Sequence, residues 1–214
     1  TIELNDAGTL AADSSLAGGT LKVNSNSLTV SGEVSIAGNS TIEVADGNTV
    51  NFSDGVINTE NYELTLNNSG TISFPQNSSG IVLNDVDGLL KLEGTGTVQE
   101  VQVTTAGKGI EVYESGTVSS LMISADTELN IASGVTLSGS ADIAENKTLK
   151  LTGTGTLDSD LSLKGTLEAE ENLEVSGAIS VADNSTISIP DTQTILTYSG
   201  GNLTIDAYTL TVSG

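Results

Sequence analysis

Short apolar-x-apolar triplets recur from one end of the chain to the other. Ile2-Glu3-Leu4, Leu21-Lys22-Val23, Leu28-Thr29-Val30, Val34-Ser35-Ile36, Ile42-Glu43-Val44 and Val50-Asn51-Phe52 begin the series. Leu64-Thr65-Leu66, Ile72-Ser73-Phe74, Leu90-Lys91-Leu92, Leu129-Asn130-Ile131, Leu149-Lys150-Leu151 and Leu173-Glu174-Val175 continue it. Ile187-Ser188-Ile189, Leu203-Thr204-Ile205 and Leu210-Thr211-Val212 close it. Alternation with period two puts successive side chains on opposite faces, so each triplet reads as a short strand with one buried face. Ser-Gly, Asp-Gly, Gly-Asn and Asn-Ser pairs separate the triplets, and such residues accept turn and left-handed geometry. No segment carries a helical stripe.

Triplet starts lie about six to eight residues apart, so three steps make a coil of about 20 residues. Two longer self-matches agree with that period. The segment Leu28 to Val44 (LTVSGEVSIAGNSTIEV) matches Leu173 to Ile189 (LEVSGAISVADNSTISI), about seven coils on. Leu89 to Val98 (LLKLEGTGTV) matches Thr148 to Leu157 (TLKLTGTGTL), about three coils on. Near-integer offsets are what a solenoid register requires. The pattern therefore predicts an all-β fold, a right-handed parallel β-helix (β-solenoid) of about ten coils with three short strands per coil. Residues 1–214 read as a single β-solenoid domain, which fits equally as a segment of a longer chain.

Each strand is expected to pair in parallel with its counterpart in the next coil, about 4.8 Å away, for a rod on the order of 50 Å long. Immunoglobulin-like sandwiches want strand spacings of about 8–12 residues and an aromatic anchor. A propeller blade repeats at roughly 40–50 residues. A left-handed β-helix keeps a rigid six-residue step, and only Leu161, Leu167, Leu173 and Ile179 hold it here. A bore this narrow is expected to hold Val, Ile and Leu and to exclude bulky aromatics. Asn and Thr at matching positions are expected to stack as hydrogen-bonded ladders.

Composition removes whole classes of chemistry. The chain carries 28 acidic residues against six scattered Lys, a formal charge of −22, and it has no Arg, His, Cys or Trp. Thiolate and imidazole metal sites and the Ser-His-Asp and Cys-His nucleophile systems lack their ligands or base. Bidentate Arg clamps on phosphate are unavailable. Nucleic acid and anionic membrane surfaces are repelled, since affinity for both comes from Lys and Arg. No apolar run approaches the roughly 20 residues of a membrane-spanning helix. A highly charged surface rich in Asn, Thr, Ser and Gly points to an extracellular or cell-surface setting.

The candidate sites are few. Thr1-Ile2-Glu3-Leu4 and Leu210-Thr211-Val212 start and stop in mid-pattern with no capping helix. An uncapped coil exposes unpaired backbone groups and its apolar column. The first account is a fragment of a longer passenger; the alternative makes these residues the candidate edges for head-to-tail stacking of copies. Glu168, Glu170 and Glu171 cluster, and Asp85 with Asp87 and Asp158 with Asp160 lie two apart. Such pairs share a strand face and suit weak, ad hoc Ca²⁺ binding or a general acid and base. A solvated acidic face is the simpler account. No cofactor and no catalytic residue are expected, so the chain reads as not an enzyme.

Thr-x-Thr at Thr95-Gly-Thr97, Thr154-Gly-Thr156 and Thr192-Gln-Thr194 raises ice binding, but the copies are far apart and mostly Gly-centred, as turns are. The four tyrosines, Tyr62, Tyr113, Tyr198 and Tyr208, show no clustering that would mark a polysaccharide groove. Glycosylation sequons stand at Asn39, Asn51, Asn67, Asn77, Asn146, Asn184 and Asn202 and matter only in a eukaryotic source.

The recurrent LTVSG, LKLTGTGTL and VSIAGNSTIEV phrases resemble the β-strand repeats of bacterial surface proteins, the autotransporter passengers and two-partner-secreted haemagglutinin-like adhesins. The resemblance spans essentially the whole chain and is one of composition and period. It implies secretion, a right-handed β-helix and a structural or adhesive role, as a surface-adhesin stalk or passenger segment. The alternative is a self-assembling subunit of an extracellular filament or coat.

Overall fold

Triplets of alternating polarity can bury an apolar side only by stacking, and they stack along three parallel ladders. The computed structural model describes residues 1–24, 27–53, 55–75, 78–205 and 208–213. Among these residues every regular element is a strand and every strand pairing is parallel. The chain visits the three faces in fixed order, and three consecutive strands make one coil of a parallel β-solenoid.

On the first face Ile2 lies beneath Leu21, then Ile42, Leu66, Leu92, Val112 and Ile131. That ladder continues from the same strand, Thr127–Ile131, through Leu149, Leu167, Ile187 and Val212. The second face runs Gly8, Leu28, Val50, Ile72, Val98 and Val118. From the strand Gly116–Ile123 it passes to Leu137, Leu157, Val175 and Tyr198. The third face is unbroken from Ser14 through Val34, Ile57, Ile81, Val101, Leu121, Ala141, Leu161 and Ile179 to Leu203. Ten coils and one extra first-face strand result, and at about 4.8 Å per rung the rod is on the order of 50 Å long.

Both self-matches fall on whole coils. From Leu28 to Leu173 the second face climbs seven rungs, and from Leu89 to Thr148 the first face climbs three. Coil length varies more than the triplet spacing implies. The coil from Leu161 to its partner Ile179 is short, and it lies where the six-residue step held. The coil from Leu64 to its partner Leu90 is nearly half as long again.

The wide coils overturn one expectation. Phe52 and Phe74 stand inside the column, 1% and 8% exposed, with stacked rings 5.0 Å apart and 13° from parallel. The coils around them, from Leu28 to Val50, Val50 to Ile72 and Ile72 to Val98, are all longer than the one from Leu161 to Ile179. The longer perimeter gives the bore room for two rings.

Register shifts are few and explicable. Between the strands Gly116–Ile123 and Thr136–Ile143 the pairing slips by one residue after Val118. Gly139 sits there at φ 134°, where a Cβ would lie 1.7 Å from the Val118 carbonyl oxygen. Only a residue without a side chain brings the two backbones that close.

A second shift follows Gly107, whose partner Thr127 points into the column by alternation with Leu129 and Ile131. Thr127 is 5% exposed and its hydroxyl has no hydrogen-bond partner. An unpaired buried hydroxyl costs on the order of 1–3 kcal/mol. Thr127→Val keeps the shape and removes the orphan, so it should stabilise the chain by about 1 kcal/mol. A midpoint in urea that stays put or falls would show that the hydroxyl is not a burden.

Candidate functional site

Because the inside of each strand is committed to the column, whatever the protein does rests on outward side chains, corners and the two ends. The outward positions of the first face carry a charged ladder. Lys22 pairs with Glu43 at 3.1 Å, Lys91 with Glu63 at 2.9 Å and Glu111 at 3.9 Å, and Lys150 with Glu170 at 2.9 Å. Elsewhere Lys108 meets Asp87 at 3.2 Å and Lys164 meets Asp142 at 2.7 Å. Among the described residues five of the six lysines are thus in ion pairs, and only Lys147 has none. Lysines that look scattered in the sequence are placed against carboxylates a whole coil away.

The carboxylates singled out by spacing do not converge. Glu170 is held by Lys150, while Glu168 is half-buried on its strand and Glu171 is exposed at the following corner. Asp85 accepts the Asp87 amide at 3.0 Å in a turn, and Asp87 pairs with Lys108. Asp158 and Asp160 do share an exposed strand face, but Asp158 accepts the Ser176 hydroxyl at 2.8 Å and Asp160 the Ala178 amide at 2.9 Å. Among the described residues no three acidic side chains gather as a metal-ion cage. Two flank hollows of about 300 Å³ each are shallow corners lined by Thr154, Gly155, Thr156, Asn172 and Glu174, and by Asn48, Thr49, Gly70, Thr71 and Thr97.

The threonines combine differently from the Thr-x-Thr pattern. Thr97 stacks between Thr71 below and Thr117 above, with Thr49 beneath Thr71. This rank crosses coils instead of following the chain, as does another on the first face, Thr148, Thr166, Thr186 and Thr211. The neighbours of the Thr97 rank are already engaged: the Ser73 hydroxyl donates to Asn51 Oδ1 at 3.3 Å, and Gln99 Oε1 accepts the Phe74 amide at 2.9 Å. Asn24 Nδ2 donates to Asn5 Oδ1 at 3.0 Å, a polar ladder of the expected kind. The sequons at Asn39, Asn51, Asn67, Asn146, Asn184 and Asn202 are exposed, although Asn39 spends its oxygen on the Glu63 amide, and Asn77 lies outside the described residues. Tyr62 packs against the core, and Tyr113 donates to Glu111 at 2.7 Å.

Both ends leave the column uncovered. At the first coil Ile2 is 61% exposed, Thr1 and Glu3 are exposed and Leu4 is half-buried. At the last coil Val212 is 67% exposed, Thr211 is exposed and Leu210 is half-buried. There Leu196, Tyr198, Leu203, Leu210 and Val212 surround an apolar mouth of about 190 Å³. Ile2–Leu4 and Leu210–Ser213 lie on the same face, the first.

Compared with protein-family models, curated proteins and solved structures, the chain matches none. No helix among the described residues is long and apolar enough to cross a membrane.

Charge sets how the rod responds to pH. Burial pushes the Glu100 carboxyl above its ordinary value, so its ionisation opposes folding at neutral pH, and that cost is relieved as pH falls through the raised value. Lys91 and Lys150 are raised, chiefly by hydrogen bonds to Glu63 and Glu170. Their contribution is complete below the ordinary lysine value of 10.5 and is lost as pH climbs through the raised ones. With −22 charges repelling one another as well, the melting temperature should rise as pH falls from neutral towards 5. It should also rise with salt at neutral pH and drop above pH 10.5. Melting curves that are flat across both titrations would remove this account.

Proposed function

We propose that the chain is a non-catalytic, extracellular structural rod, a stalk or passenger segment of the surface-adhesin kind that holds its surroundings at a fixed distance. The observation that carries this reading is the third-face ladder, unbroken over ten strands from Ser14 to Leu203. A continuous ladder makes a stiff spacer, because bending it breaks hydrogen bonds on one side and overlaps side chains on the other. An outside of paired lysines, surplus carboxylates, Thr, Ser and Asn keeps such a rod solvated and discourages nonspecific contact. Among the described residues the carboxylates singled out by spacing do not converge, and the reading assigns no cofactor, nucleic acid or membrane insertion.

The uncovered ends support a second reading, a subunit that stacks head-to-tail on its own copies through Ile2–Leu4 and Leu210–Ser213. Geometry makes that contact demanding. The first and last strands share a face, so setting Ile2–Leu4 on Leu210–Ser213 leaves one rung empty on each of the other two faces.

Electron microscopy of the purified chain over a concentration series separates the two. The stalk reading expects dispersed short rods, with at most irregular association at high concentration. Long fibres of uniform width, with a subunit repeat near the rod length, would replace it with the filament reading.

A further inference from the structure

The charges on the first face are ordered, and the order has a period of three coils. Glu3 faces Lys22, and Lys22 faces Glu43. Lys91 faces Glu111 and reaches down to Glu63 at 2.9 Å. Glu128 faces Lys150, and Lys150 faces Glu168 while reaching Glu170. Three Glu–Lys–Glu triads follow one another up the rod, with the lysines of neighbouring triads three rungs apart. Where one triad meets the next, the facing residue is an amide: Glu43 faces Asn67, and Glu111 faces Asn130. No glutamate of the ladder faces another glutamate directly.

Between the coils of Lys91 and Glu111 the column cannot choose the register by itself. There the inward pairs of this face are Leu90 and Leu92 and, above them, Ile110 and Val112. A slip of one residue turns every apolar side chain outward and is forbidden, but a slip of two exchanges one branched aliphatic for another. Between these two coils the charges outside distinguish the slipped state where the aliphatics inside do not. There, a two-residue slip moves Glu111 away from Lys91, leaving the lysine opposite Gly109 or Tyr113.

We propose that the facing lysine–glutamate pairs of the first face, Lys22 with Glu43 and Lys91 with Glu111, lock the register of the solenoid, each holding its coil against two-residue slippage on the coil above. Like charges directly opposite disfavour wrong pairings while opposite charges favour the right one, which is how a polar surface supplies specificity that an aliphatic core lacks. The lock holds whether the rod serves as a spacer or assembles with copies of itself.

The chain has no cysteine, so introduced pairs report register cleanly. Thr97 faces Thr117, one coil up and one corner beyond Lys91 and Glu111, and Ser119 is its slipped partner. A disulfide closes only when the Cα atoms lie within about 7 Å, which a facing pair satisfies and a diagonal pair, at roughly 8 Å, does not. Thr97→Cys/Thr117→Cys and Thr97→Cys/Ser119→Cys are compared in the full chain under reversible oxidation, with circular dichroism to confirm folding.

In the parent the facing pair should dominate. Lys91→Gln should lower the ratio of facing to slipped disulfide on the order of two- to five-fold, the worth of one half-exposed ion pair. Lys91→Glu should lower it further, Lys91→Glu/Glu111→Lys should restore it, and high salt should erode the parent's preference. A ratio that Lys91→Gln and Lys91→Glu leave unchanged while the variants stay folded, or one that the charge swap does not recover, would overturn the proposal.

Discussion

Everything in this protein depends on one coil pairing in parallel with the next. A single coil, whether as short as Leu161 to Ile179 or as long as Leu64 to Leu90, has three short strands and a handful of inward aliphatics. Alone it can bury neither its apolar side nor its backbone polar groups. Stacked, each coil lends its neighbour both a hydrogen-bonded edge and a lid for the column. Stability is thus built from nearest-neighbour contacts and spreads along the axis. The buried column, from Leu21 and Val23 at one end to Ile179 at the other, is the outcome of that pairing and not an independent cause.

Charge is the force that opposes it. A chain of formal charge −22 wrapped into a narrow rod crowds its carboxylates onto coils only about 4.8 Å apart. Surface ion pairs contribute little singly, on the order of 1 kcal/mol or less. Burying one aliphatic side chain contributes about 1.5–3 kcal/mol. The column therefore wins the energetic contest, and the lysines are left to decide among the arrangements that the column permits. That division of labour explains why so few cations suffice and why five of the six described lysines stand in ion pairs.

The architecture was legible because its signal is local. Triplets such as Leu28-Thr29-Val30 announce a strand within three positions, and the match of Leu89–Val98 to Thr148–Leu157 announces the period. What lay beyond the sequence arises from partners a whole coil apart. Coil length depends on corner loops, and the wide coils that admit Phe52 and Phe74 follow from the long steps between Leu64 and Leu90 and between Ile72 and Val98. The Thr49, Thr71, Thr97 and Thr117 rank is invisible to a Thr-x-Thr search because its members come from four different coils. The three-coil charge order shows itself only once the register is known. Of the candidate sites, the end strands were placed where the pattern put them, whereas the paired carboxylates proved to be engaged with turns, amides and lysines.

The central claim is that residues far apart in sequence lie along one axis at a constant rise per coil. Double electron–electron resonance between spin labels on the third face tests it directly. With one label at Ser35 and the second at Met122, Ser162 or Ser180, the partners stand four, six and seven coils up. The account predicts distances of about 19, 29 and 34 Å, a linear increase at about 4.8 Å per coil. Distances that do not grow in proportion to the coil number would contradict a single continuous solenoid.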